Sequence, residues 1–349
     1  MALTKVKGSV LDSAETISDK AEAVLITPTA GRTLQVISGD GGLFKAVTGA
    51  AAATYSDNGG SYCGTVFIPT GGDGSAAWVR DYSGMLNVRW FGAVGDGVTD
   101  DTASIQEAID TGALYIKGVP GHTYLITGLT QSINNQVIDF TGCTLKLEAA
   151  SSIYMLGCTG DYVQVIGGLY DGNKAAGHTT SDGYYNHAGV AFTGDYCTVK
   201  GVQTKNSIGL GIKGIGTNYS LVTECLVGGF DIQGIYFESI TADAYGNKII
   251  NNRVEYGTDS HGVGIYLVGK SDRTFNQYDW TVSENTVTGR SSGTSTLDVL
   301  ITLRAINGVC NGNVTLNGDM GISADSTSDS VISNNRIGPT NGTTNYGIE

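Results

Sequence analysis

A tetrad of glycine, apolar residue, any residue, apolar residue recurs through the second half of the chain. It reads GVAF at Gly189, GLGI at Gly209, GIYF at Gly234 and GIYL at Gly264, then LITL at Leu300, GISA at Gly321 and GIE at Gly347. The intervals are 20, 25, 30, 36, 21 and 26 residues. A second series, apolar–two–Asn–one–apolar, is interleaved with it: Ile249–Asn252–Val254, Val282–Asn285–Val287 and Ile332–Asn335–Ile337. Cys225 replaces Asn in Val222–Cys225–Val227, and Cys310–Asn313–Thr315 is a weaker copy. A propeller would show a period of about 40 residues with a Trp-Asp signature, and a leucine-rich array would show LxxLxL. Neither is present.

Each repeat therefore holds at least two short strands with alternating residues, joined by turns of variable length. That pattern selects a parallel β-solenoid. A strand pairs with its copy in the next coil about 4.8 Å away, and alternate side chains enter a narrow core. Insertions project outward without disturbing the stack. Asn at a turn is expected to sit in left-handed geometry and hydrogen-bond to its copies above and below.

Composition narrows the functional classes. Glycine is abundant at 52 of 349 residues, but no three-residue period appears, and 40% of residues are hydrophobic. Collagen and disordered-linker readings are thereby excluded. A net charge of −13 without a basic patch argues against a nucleic-acid partner. No run reaches transmembrane length, and MALTKVKGSV lacks a signal-peptide apolar core, so no membrane insertion is expected. Cys63, Cys143, Cys158, Cys197, Cys225 and Cys310 show no CxxC spacing and read as reduced core residues. His122, His178, His187 and His261 have no ligand spacing, and no calcium cluster assembles, so no metal and no cofactor is expected. GHTTSDG brings Ser, His and Asp close in sequence, which is not triad geometry.

Residues 1–85 read as a small β-rich attachment module. SAETISDKAEAV is compatible with a short helix, and SGDGGLFKAV and YSDNGGSYCGTVFIPT with short strands between turns. Residues 86–120 include LNVRWFGAVGDGVTDDTASIQEAID. There GDG makes a tight turn, Asp100 or Asp101 caps a helix over 100–110, and Ile105, Ala108 and Ile109 form its apolar face. The first coil of a solenoid exposes a strand edge, and this helix is suited to cover it. Residues 121–349 are the solenoid.

The stretch VRWFGAVGDGVTDDTASIQEAI resembles the lead-in motif of the pectate-lyase-like superfamily as it occurs in bacteriophage tailspikes. The preceding NGG, WVRDY at Trp78 and SGMLNV resemble the segment before that motif. The resemblance implies an all-β chain with a right-handed parallel β-helix and an N-terminal capping helix. It implies a homotrimeric virion protein, assembled in the host cytoplasm and acting outside the host cell. The N-terminal region would bind the phage tail or baseplate, and the β-helix a bacterial surface polysaccharide that it usually cleaves. The chain stops at NYGIE inside what reads as another coil, so a C-terminally truncated tailspike is expected.

Aligning the tetrads places Tyr236 and Tyr266 at one outward position on successive coils, a platform for sugar rings or a surface covered by a loop or subunit. The next outward column reads Thr193, Lys213, Glu238, Val268, Arg304, with Lys213 beside Glu238 as an ion pair or as part of a site. Glycoside hydrolysis needs two carboxyls about 5 Å or 6.5–9.5 Å apart. Glu238 is the first candidate, with Asp259 and Asp231 as preferred partners, and Asp243 and Glu255 also near. His261 lies in the next coil. The loop GKSDRTFNQYDW carries Asp272, Arg273, Tyr278 and Trp280, a set able to grip substrate. Two other readings stay open: a polysaccharide lyase on the same fold, and a non-catalytic receptor-binding or structural tail protein.

Overall fold

The computed structural model describes residues 15–18, 20–37, 40–49, 64–70, 72, 74–148, 154–174, 187–207, 209–257, 262–269, 274–290, 298–324, 327–338 and 346–348. The chain forms two compact units, residues 1–92 and 93–349.

The first unit holds a five-stranded sheet of Glu15–Ile17, Thr33–Val36, Gly42–Thr48, Ala76–Arg80 and Val66–Phe67, in that spatial order. The expected helix over Ser13–Val24 is instead the strand Glu15–Ile17 followed by a four-residue helix, Lys20–Ala23. Ile17, Leu34, Val36, Phe44, Phe67 and Trp78 close a small core. Arg80 is buried in it. Its guanidinium donates to the carbonyls of Gly64, Gly41 and Asp40 and lies over the rings of Phe44 and Trp90. Each guanidinium nitrogen thus has an acceptor, and burial of a cation requires such compensation.

The second unit is a parallel β-helix of three sheets. Sheet I holds nine strands, from Leu129–Gln131 through Tyr154–Cys158, Ala188–Phe192, Leu210–Ile215, Gln233–Glu238, Val263–Val268, Val299–Arg304 and Met320–Ser323 to Tyr346–Ile348. Sheet II runs from Tyr115–Lys117 to Val331–Ser333, and sheet III from Asp96–Asp100 to Arg336–Ile337. Each coil visits II, III and I in turn. Every neighbouring pair in these stacks is parallel, as in Val222↔Ile249, Val227↔Val254 and Ile235↔Ile265.

Strand alternation packs the interior. Ile212, Ile235, Ile265, Ile301 and Ile322 lie in register in sheet I and are fully buried. They face Val222, Ile249 and Val282 of sheet II and Val227, Val254 and Val287 of sheet III, also buried. Each such side chain contributes about 1.5–3 kcal/mol. The tetrad glycines sit where this tube is narrowest. A Cβ on Gly211, Gly234 or Gly264 would collide with a methyl group of Val227, Val254 or Val287.

That register corrects the tetrad alignment in one coil. Only GLGI at Gly209 fits the tetrad in GLGIKG, yet Ile212 pairs with Ile235, and Gly214 takes the last apolar place opposite Phe237. The structural tetrad therefore starts at Gly211, two residues after Gly209.

The second series forms an asparagine ladder. Asn252, Asn285 and Asn313 each accept on Oδ1 from the backbone N–H of the preceding coil, at Cys225, Asn252 and Asn285. Asn335 does the same for Asn313. The left-handed geometry expected of these asparagines belongs to their predecessors: Asn251, Glu284 and Asn334 have φ of 56°, 57° and 53°, and Gly312 68°. The physical reason is that the kinked residue turns the chain, so the next side chain points inward and is buried.

The helix Thr102–Asp110 buries Ile105, Ala108 and Ile109, as its spacing predicts. Of the two acids expected to cap it, Asp100 does so through its side chain. The Asp100 carboxylate accepts from Thr102 N, the first helical amide, at 2.9 Å. Asp101 is the cap residue by position, but its carboxylate turns back to accept from Val94 N and Gly95 N. The acids before the helix form the strand Asp96–Asp100. Gln106 donates to Thr130 O and accepts from Thr130 N, at 2.8 and 2.9 Å. Its amide thus gives the terminal strand of sheet I the bonds that a further strand would make.

The five described cysteines, Cys143, Cys158, Cys197, Cys225 and Cys310, are unpaired and buried. Cys63 lies outside the described residues.

Candidate functional site

The outer face of sheet I carries the candidate residues. In register across successive coils stand Ala191, Lys213, Tyr236, Tyr266 and Thr302. The next outward column holds Ile215, Glu238, Val268 and Arg304. Glu238 is therefore opposite Ile215, and Lys213 is opposite Tyr236. The expected Lys213–Glu238 cross-strand pair is displaced by the same two-residue shift that moves the tetrad to Gly211. Lys213 instead directs its ammonium over the Tyr236 ring, 5.7 Å from the centroid, and Arg304 lies 5.9 Å from the Tyr266 centroid. Such cation–π contacts strengthen as water is excluded.

The tyrosine pair differs from an exposed platform. The Tyr236 and Tyr266 rings are 5.5 Å apart and inclined at 42°. Tyr236 belongs to a buried apolar cluster with Ala188, Ala191, Leu210 and Val268, against which Tyr154, Ile232 and Tyr266 pack. Lys213 is only 5% exposed. Burial depresses its basicity, and the Glu238 charge partly restores it. The Tyr154 phenol is pushed up by burial and then by Glu238. Lys213, Tyr154 and Glu238 thus share one electrostatic field in a poorly hydrated patch.

The other candidates scatter. Asp231 precedes the strand Gln233–Glu238 and forms an ion pair with Lys174 at 2.6 Å. The strand separates it from Glu238 by on the order of 16 Å, beyond the carboxyl spacing of a glycosidase. Asp243 accepts from Asn276 N, an anchor between turns. Trp280 is 1% exposed, packed against Gly308, and cannot grip a substrate. The residue sits at the start of a sheet II strand, where alternation points it inward. Asp259, His261, Asp272 and Arg273 lie outside the described residues, as does all of GHTTSDG. Among the described residues, no group of three His, Cys, Asp or Glu is placed to hold a metal ion.

A second concavity went unread in the sequence. A groove of about 620 Å³ runs along the corner between sheets II and III, lined by Glu224, Asn251, Arg253, Glu255, Glu284 and Thr286 among others. Glu224, Asn251 and Glu284 occupy the left-handed corner position on successive coils. Glu255 forms an ion pair with Arg253 at 2.5 Å. The available signal was the residue before each Asn or Cys of the second series, as in VTECLV and VSENTV.

The class of molecule follows from these features: a parallel β-helix whose broad sheet carries aromatic and ionic side chains on its outer face. Solved structures of the same fold are bacteriophage tailspikes. The enzymatically active domain of tailspike protein 2 of bacteriophage CBA120 matches 91% of this chain at 16% identity and a TM-score of 0.60. Tailspike gp49 of Acinetobacter baumannii bacteriophage Fri1, a capsular polysaccharide depolymerase, matches 97% of this chain and 77% of its own, at 12% identity and a TM-score of 0.55. The chain spans 52% of the CBA120 domain. An uncharacterized 65.4 kDa protein in the cps region of Klebsiella pneumoniae is 36% identical over 55 residues, 15% of this chain and 10% of that protein. No family model matches.

Proposed function

We propose that this chain is part of a phage tailspike that binds a bacterial surface polysaccharide and cleaves it by endo-hydrolysis. The observation that carries the reading is the outer face of sheet I: Lys213, Tyr154, Tyr236 and Glu238 together, on a fold shared with tailspikes. Residues 1–85 would attach to the tail or baseplate, the spike would be a homotrimer, and it would act outside the host cell.

Glu238 is assigned the general acid. It would deliver a proton to the glycosidic oxygen as the C–O bond breaks, while water adds to the sugar carbon and yields its own proton to a second carboxylate. Tyr266 and Arg304 would hold the sugar beside it, with Tyr236 supporting the face from within. Asp259 keeps the role of carboxylate partner that the sequence assigns it, and His261 and Arg273 their binding roles.

A second reading places hydrolysis in the groove. Glu224 and Glu284 stand two coils apart, about 9.6 Å at the backbone, near the spacing of an inverting pair.

The test is chromatography of capsule and lipopolysaccharide extracts from a bacterial panel after incubation with the chain. Polymer shortening abolished by Glu238→Gln supports the first site. Loss only in Glu224→Gln or Glu284→Gln transfers the chemistry to the groove. New ultraviolet-absorbing unsaturated ends identify a lyase instead. Binding without any shortening leaves a receptor-binding protein.

A further inference from the structure

The corner leading from sheet I into sheet II carries a row of tyrosines that the proposed site does not use. Tyr162, Tyr196 and Tyr219 stand on three successive coils. Their rings stack face to face, with centroids 4.8 and 5.1 Å apart and interplanar angles of 4° and 13°. Tyr219 then lies against Gly246, where a Cβ would strike its ring. Tyr245 and Tyr278 form a separate stack on the next two coils, at 5.3 Å and 16°, each one residue before the corner position that Gly246 and Asp279 occupy. The three stacked tyrosines cover about 10 Å, two strand spacings.

The backbone disfavours these residues. Tyr162, Tyr196 and Tyr219 have φ of 58°, 57° and 52°. Bulky side chains rarely adopt that region, which suits Asn, Asp and Gly. The same corner uses Asn135, Gly246, Asp279, Asn307 and Asp329 in other coils. Three consecutive tyrosines therefore break a local rule that the chain obeys elsewhere, and such departures collect at functional sites.

The tyrosines are also open. Tyr162, Tyr196 and Tyr219 are 51%, 44% and 54% exposed. Mutual stacking covers the ring faces, so the row presents edges and hydroxyls. None of these hydroxyls has a hydrogen-bond partner among the described residues. The corner beneath is rigid: Asp161 accepts from Asp195 N, Asp195 from Asn218 N, and Asn218 from Tyr245 N.

We infer that this tyrosine ridge is a non-catalytic docking track for a neutral polysaccharide chain lying along the helix axis. A donor–acceptor pattern repeating once per coil fits a polymer whose hydroxyls also repeat, better than the irregular surface of a globular partner. The corner segments 159–163, 193–197, 216–220, 239–247 and 276–280 hold Asp161, Asp195, Asp243 and Asp279 and no Lys or Arg. A glycan bearing carboxylates would be repelled there. The track lies on the corner that the Glu238 strand leads into, on the other side of sheet II from the groove, and it would hold polymer whether or not the chain cleaves it.

The test is affinity electrophoresis in native gels cast with dextran, galactomannan or purified neutral capsules, with alginate as the acidic polymer. The variant is Tyr162→Asn/Tyr196→Asn/Tyr219→Asn, because Asn suits the corner and its fold is checked by circular dichroism and melting. Retardation of the parent by a neutral polymer, weakened about tenfold or more in the triple variant, supports the track. Tyr→Phe at the same three positions keeps the stack, so weakening there assigns binding to the hydroxyls. Retardation by none of the neutral polymers, by alginate only, or equally in the Asn variant overturns the inference. So does a fall in assembly mass in the Asn variant, which would make the ridge a subunit contact. Glu238→Gln should stay retarded, so loss of cleavage and loss of docking are read separately.

Discussion

Replacing Asn285 by Ala should be among the most damaging single changes in the β-helix. Asn285 is fully buried, and its side chain makes four hydrogen bonds. Oδ1 accepts from Asn252 N at 2.9 Å and from Asn252 Nδ2 at 3.0 Å. Nδ2 donates to Ile249 O at 2.8 Å and to Asn313 Oδ1 at 3.0 Å. Two of these losses are cushioned. Asn252 Nδ2 keeps Val222 O, and Asn313 Oδ1 keeps Asn285 N. Ile249 O also sits in the parallel ladder with Thr281–Ser283 and so is not orphaned, which leaves Asn252 N–H as the buried group without a partner. An orphaned donor costs about 1–3 kcal/mol and each of the other three lost bonds about 0.5–1.5 kcal/mol, so the change should cost roughly 3–7 kcal/mol. At about 4 kcal/mol the melting temperature falls by roughly 8–16 °C for a unit of this size. Urea unfolding followed by circular dichroism measures it. Asn285→Cys should be milder, because Cys225 already heads the ladder and its thiol contacts Val199 O, the equivalent carbonyl. A loss below about 1 kcal/mol in Asn285→Ala would show that the ladder is not what aligns these coils.

Gln106→Ala should expose Thr130 N and O at the sheet edge. The expected result is a loss of about 1 kcal/mol and more association by light scattering, since an unpaired edge recruits other strands. Asp139 tests the pH dependence. Burial pushes its carboxyl up, but hydrogen bonds from Tyr115 and Thr141 and the Lys117 charge outweigh this and hold it below the usual 3.8. Its stabilising contribution is therefore present above pH 3.8 and lost as pH falls through the lower folded value. In Tyr115→Phe the folded value rises, so stability at pH 7 should drop and the further loss between pH 4 and pH 2 should shrink in acid titrations. The same bond pushes the Tyr115 phenol up to about 12. Burial raises the thiols of Cys143 and Cys197 to about 11 and of Cys225 and Cys310 to about 12. All five described cysteines should resist a thiol-specific reagent at pH 8 until the β-helix is unfolded.

The repeat alone determined the solenoid. Gly–apolar–any–apolar marks strands that must pass a narrow interior, and the irregular intervals exclude architectures with a fixed period. The buried face of the helix after Asp101 and the asparagine ladder were legible for the same reason, because side-chain period and hydrogen-bonding capacity are local properties. Only the tertiary structure decided which residues meet between coils. GLGI at Gly209 satisfies the tetrad, but pairing of Ile212 with Ile235 chose the frame two residues on, with Gly214 in the last place, and moved Lys213 from Glu238 to Tyr236. Burial was equally hidden: an outward position reads as exposed until the neighbours that cover Tyr236 and Lys213 are in place, and Trp280 reads as a loop residue until the strand after it enters the core. The corner glutamates of the groove and the tyrosines of the ridge keep a fixed spacing to the neighbouring strands, as in Tyr162–Val165, Tyr196–Val199 and Tyr219–Val222, so their columns are present in the sequence. What the sequence does not show is the left-handed corner that turns these side chains outward, and it is the parallel pairing of the coils that brings Tyr162, Tyr196 and Tyr219 into one stack.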